Sequence, residues 1–167
     1  FPDPPERLFA TLAARIRMTR RRIVITGLGL ITPVGNTVDE SWAQLVAGQS
    51  GIDHVTRFDA SNMSVRFAGE VKGFRIEDYI PAKEARHMDT FIHYGLAASI
   101  QAVRDAGLPT GDALNEEQAE RIGCLVGSGI GGLPLIEETH AEFVSRGARR
   151  ISPVNMASRT CMSACRW

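Results

Sequence analysis

Apolar and polar positions change period several times along the chain, and each change predicts an element. Ile23-Val24-Ile25-Thr26 is a short unbroken apolar run closed by Gly27 and Gly29, which predicts a buried strand of a parallel sheet. Pro33, Gly35 and Asn36 then predict a turn. Thr37 and Glu40 have the spacing of a capping box ahead of Val38, Trp42, Leu45 and Val46 at helical period, with Gly48 as the stop. Between Gly51 and Gly73, Val65, Phe67 and Val71 alternate with Arg66, Ala68 and Glu70, as in a half-exposed strand or hairpin.

A long helix is predicted from about Ala82 to Ala106. Met88, Phe91, Ile92, Gly95, Ser99, Ala102 and Val103 share one stripe, and Gly107 ends it. Gly95 and the small residues near it suit close packing in the centre of a fold. Ile122 to Val126 is a second apolar run, again predicting a buried strand. It leads into Gly127-Ser128-Gly129-Ile130-Gly131-Gly132 and then a helix from about Leu133 to Arg146, with Pro134 in its first turn and Gly147 as its stop. Strands alternating with helices predict an α/β sheet.

Composition narrows the picture only a little. With 167 residues there is room for one domain with a real core. With a formal net charge of zero, nothing in the overall charge suggests a nucleic-acid binder. No apolar run approaches the ~20 residues of a membrane helix, so no membrane role is expected. The cysteines are Cys124, Cys161 and Cys165. Their odd number and spacing argue against a disulfide framework and against a C-x-x-C zinc or redox site, and suit a reducing cytoplasm. Cys124, inside a predicted strand, reads as a small apolar filler. The segment 1–17 reads as either a targeting peptide or a non-native upstream extension. Asp3, Glu6 and the first methionine at Met18 favour the extension.

Gly127, Gly129 and Gly132 match G-x-G-x-x-G between a strand and a helix, the position of a dinucleotide fingerprint. The strand is not the first of its sheet, however, and no acidic residue follows where a ribose contact is needed. The competing reading is that the glycines let the backbone approach another element or a thin acyl chain. His54, His87, His93 and His140 are scattered, and His87 and His93 do not share an i, i+4 face, so no metal site is expected. Lys83, Arg86 and His87 form one basic turn, and Arg149 with Arg150 a second. Such charges are usually solvated. Two basic spots also suit the approach of an acidic partner.

Read in order, several blocks resemble the β-ketoacyl-acyl-carrier-protein synthase II family. They are Arg22 to Asn36, Ala47 to Ile52, Met88 to Gly95, Arg121 to Gly123, Gly127 to Gly132, and Arg150 to Pro153. The resemblance implies a thiolase-like α/β fold, here an incomplete N-terminal half with helices on both faces of a mixed sheet. It implies a domain over 18–153 and an aberrant tail over 154–167. The implied activity is decarboxylative condensation: an acyl chain held on a cysteine is extended with malonyl carried on acyl carrier protein. The implied partners are that carrier and the acyl and malonyl thioesters, with no cofactor. A homodimer is the family's form but is not expected of this chain. Ile130 corresponds to the isoleucine that lines and gates the acyl pocket. Lys83, Arg86, His87, Arg149 and Arg150 correspond to the carrier-docking surface, with His87 replacing a more usual lysine. The catalytic Cys-His-His set is not expected within these residues. Cys165 echoes the nucleophile's Ser-Ala-Cys string but comes too early, with no strand before it and no helix after it, and is set aside. A polyketide ketosynthase fragment and a non-catalytic carrier-binding domain remain as alternatives, and a nucleotide-binding module is the distant third.

Overall fold

The computed structural model describes residues 22–150 except His87 and Ile130, and the side chains of Asp112 and Arg150 are also left undescribed. Its helices are α1 (Val38–Val46), α2 (Ala82–Ala85), α3 (Thr90–Asp105), α4 (Glu116–Glu120) and α5 (Leu133–Arg146). A two-stranded antiparallel hairpin joins β1 (Ile52–His54) to β2 (Phe67–Gly69), with Ile52 opposite Gly69 and His54 opposite Phe67.

α1 starts at the predicted box. The Thr37 hydroxyl accepts from the Glu40 amide at 3.2 Å, while the Glu40 carboxylate reaches back to the Asn36 amide at 2.9 Å, one residue further than an ideal box. Beneath it, the fully buried Ser41 hydroxyl meets Thr32 Oγ1 at 2.9 Å and donates to the Gly35 carbonyl at 3.1 Å. The turn at 32–35 is thereby fixed to the helix. The stop glycines act as predicted: α1, α3 and α5 end just before Gly48, Gly107 and Gly147, all with positive φ.

The predicted long helix is two helices. Asp89 breaks it, because its carboxylate accepts from the Thr90 amide at 2.5 Å and so caps a new start for α3. α3 is the hub of the described structure, with Ile92 buried and Ala97 at 0% exposure. Gln101 Nε2 donates to the Asn36 carbonyl and to the Tyr79 hydroxyl, both at 2.7 Å. Tyr94 accepts from Arg57 at 2.6 Å, and its ring packs edge-on against Phe74 with centroids 5.1 Å apart.

Both predicted buried strands differ from expectation. Segments 22–31 and 122–128 are not laddered, and their apolar side chains face outward: Ile23 is 92% exposed, Ile25 81% and Leu125 98%. A strand exists by pairing, and among the described residues no strand stands beside either segment. The first segment instead lies along α3. A Cβ on Gly29 would overlap the Ala98 carbonyl, and one on Gly27 the Ala102 carbonyl. The Leu28 amide donates to Asp105 at 2.8 Å and the Leu30 amide to Gln101 at 3.1 Å. The two spacings match, since two extended residues rise roughly 6.6 Å and four helical residues roughly 6 Å.

Candidate functional site

The first basic spot is built on α2. Lys83 and Arg86, three residues apart, share its outer side and are exposed, while Ala85 between them is 6% exposed and anchors the turn inward. His87 lies outside the described residues. The Ala85 carbonyl accepts from the Met88 amide at 3.0 Å and lies 3.0 Å from His93 Nε2.

Beside this turn opens a cleft of about 220 Å³, walled by Arg86, Met88, Asp89 and Thr90 on one side and by Pro134, Leu135 and Glu138 of α5 on the other. One Asp89 oxygen caps α3; the other is buried, has no hydrogen-bond partner and sits against Gly132. Any side chain at 132 would overlap this carboxylate, which explains the last glycine of the G-x-G-x-x-G pattern. Gly127 and Gly129 meet nothing within 4 Å of a Cβ position. The arrangement opposes the dinucleotide reading, because the start of α5, where a pyrophosphate would have to bind, already holds a carboxylate. Ile130, the expected pocket residue, lies outside the described residues.

Arg149 is exposed in the 3-10 turn Ala148–Arg150, beyond the far end of α5; the Arg150 side chain is not described. The two basic spots therefore do not form one cluster. They flank α5, whose 14 residues span roughly 21 Å. Among the described residues, Lys83, Arg86 and Arg149 have no ion pair, whereas Arg146 is paired with Glu142 at 3.4 Å. Unpaired exposed cations at both ends of one helix can meet separated acidic groups on one partner.

The remaining candidates disperse. His54 is exposed on β1, His93 half-buried on α3 and His140 exposed on α5. Cys124 is exposed and disulfide-bonded, correcting the reading of a buried filler; its segment lacks the ladder that would have covered it. Cys165 lies outside the described residues. No helix among the described residues is long and apolar enough to cross a membrane. Sequence reasoning missed two residues that shape the site, Asp89 and His93. Asp89 followed by Thr90 was a readable cap signal; the reach of His93 to Ala85 has no local signature.

The structure as a whole is similar to solved ketosynthases. The chain is similar in structure to the ishigamide ketosynthase/chain length factor, with TM-score 0.63 and 31% identity, over 85% of this chain and 34% of that one. It is also similar to a chain of the solved complex between a type II PKS acyl-carrier protein and its ketosynthase bound to the hexaketide, with TM-score 0.62 and 25% identity, over 83% of this chain and 36% of that one. The thiolase-like ketosynthase fold follows.

Residues 20–167 match the model of the β-ketoacyl synthase N-terminal domain, and the chain belongs to that family. It is 55% identical to 3-oxoacyl-acyl-carrier-protein synthase 2 of Vibrio cholerae over 136 residues, 81% of this chain and 32% of that protein. The namesake from Synechocystis is 44% identical over 148 residues, 84% of this chain and 35% of the relative. The chain thus spans about a third of the length of these curated relatives.

Proposed function

We propose that the chain is the front part of a fatty-acid-elongating β-ketoacyl-acyl-carrier-protein synthase, contributing carrier docking and part of the acyl pocket to a decarboxylative condensation. The observation that carries this is the match of residues 20–167 to the family domain, with 44–55% identity to the synthase 2 relatives from Synechocystis and the two Vibrio species. The two solved ketosynthases, one of them from a type II PKS, are less similar, at 25–31% identity, which favours the fatty-acid reading over the polyketide one. Lys83, Arg86, His87, Arg149 and Arg150 form the docking surface, and Ile130 lines the acyl pocket. The exposed, unpaired state of Lys83, Arg86 and Arg149 supports the first role.

In this reading segments 22–31 and 122–128 belong to a mixed sheet with helices on both faces. Their outward apolar side chains support that. The condensation needs a thiolate in a helix-terminal setting, amide donors for the oxyanion and two histidines for decarboxylation. In this reading the set lies outside these residues, and the 167 residues alone do not carry out the condensation.

Acyl carrier protein titrated against the chain tests docking. The Arg149→Glu, Arg150→Glu double variant is expected to weaken binding and to flatten its salt dependence. Unchanged affinity at low salt removes the docking role. Incubation with acylated carrier, followed by mass spectrometry, is expected to leave Cys165 unmodified. Stoichiometric acylation there would make the chain catalytic in its own right.

A further inference from the structure

The basic turn is too short to hold its own shape. α2 has four residues, and its N-cap, Pro81, offers no side-chain bond; an isolated helix of that length is unstable in water. Burial of Ala85 and the Met88 amide bond close the turn locally. Among the described residues, the side-chain hydrogen bond that ties it to another helix comes from His93, whose Nε2 lies 3.0 Å from the Ala85 carbonyl, part-buried and eight residues away. A carbonyl only accepts, so Nε2 carries the hydrogen and donates.

His93 is itself held in the first turn of α3, its amide donating to the Asp89 carbonyl at 3.3 Å. α3 is further fixed by Arg57 on Tyr94 and by Gln101 on Asn36 and Tyr79. One imidazole therefore couples the most anchored helix of the described structure to the carbonyl between Lys83 and Arg86. We infer that His93 is a positioning residue for carrier docking: it orients the Lys83–Arg86 turn while contacting no carrier itself. This rests on the docking reading above.

Glutamine places an N–H the same number of bonds from the backbone as His Nε2; leucine fills similar space with no donor. His93→Leu is expected to weaken acyl-carrier-protein binding about fivefold, the worth of one ordinary hydrogen bond. It should also speed amide exchange at Arg86 and Met88 in the free chain. His93→Gln is expected to stay within about twofold of the parent in both measurements, because the donor is retained. The Lys83→Glu, Arg86→Glu double variant serves as the control for docking.

If that control weakens binding and His93→Leu does not, the positioning role is overturned and docking stands. If the control leaves affinity unchanged, the docking reading falls and this inference with it. Unchanged exchange at Arg86 and Met88 in His93→Leu overturns the inference whatever the carrier does. Loss of binding in Gln as well as Leu would also overturn it, since the ring rather than its donated hydrogen would then matter.

Discussion

Replacing Gly29 with alanine probes the contact on which the first segment rests. The added Cβ would overlap the Ala98 carbonyl and come within 2.8 Å of the Ala102 amide nitrogen. Both obstacles are helix backbone, which cannot rotate aside as a side chain can. The segment cannot lift away freely either, because Leu28 and Leu30 are tied to Asp105 and Gln101. Overpacking of this kind costs about 1–3 kcal/mol, and with two hydrogen bonds at risk, each worth about 1 kcal/mol, the upper end is expected. Gly127→Ala is the matched control, since a Cβ there meets nothing within 4 Å and its φ is not positive. That change is expected to lie within about 0.5 kcal/mol of the parent. Urea titration followed by Trp42 fluorescence and far-UV circular dichroism reads both variants. Equal midpoints for the two would refute the argument that Gly29 is required by close approach to α3.

Two further predictions concern the cap of α1 and the pH dependence of the hairpin loop. Thr37→Ala is expected to lower stability by about 1 kcal/mol, with Thr37→Ser near the parent, because serine keeps the acceptor for the Glu40 amide; equal loss in both would point away from the cap. Glu70 is held below the ordinary carboxylate range, first by the Thr56 hydroxyl that donates to it at 2.6 Å and then by the Thr56 and Arg57 amides. A lowered folded-state pKa stabilises above the unfolded value of about 4.3, and that stabilisation is lost as pH falls through the lower folded value. The denaturation midpoint of Glu70→Gln should accordingly depend less on pH below about 4.3 than that of the parent. Parallel curves for the two proteins would contradict this.

What could be read from the residues was whatever depends on neighbours in the chain. The Thr37 cap, the glycine stops and the hairpin between Gly51 and Gly73 each follow from short-range chemistry. The break at Asp89 was missed because the apolar stripe continues across it, although the side chain of Asp89 competes for the Thr90 amide and starts a new helix. α4 was missed although Asn115 and Gln118 form a full capping box. The apolar runs at 23–26 and 122–126 were read as buried strands, yet among the described residues they are unladdered and exposed, because pairing and burial depend on partners that a local pattern does not contain. Family membership was legible for the opposite reason: several blocks in fixed order constrain one another over long range. Lys83, Arg86 and Arg149 were singled out from sequence as members of two basic spots, but the separation of those spots by the length of α5 required coordinates.

The contact between segment 22–31 and α3 also has an alignment problem that it solves. Ala98, Ala102 and Ala106 recur at every turn, so a row of alanines facing Gly29 and Gly27 looks the same after the helix slides by one turn. Taken alone, that row sets how close the two backbones come but not which turn faces which glycine. The polar row beside it removes the ambiguity, because Gln101 and Asp105 differ in length and serve Leu30 and Leu28 respectively. A one-turn slip would bring the longer Gln101 to the amide now served by the shorter Asp105, and leave one amide without an acceptor. Depth and phase are thus encoded by different residue types on adjacent rows of one helix, and exchanging Gln101 and Asp105 would disturb the phase while leaving the depth unchanged.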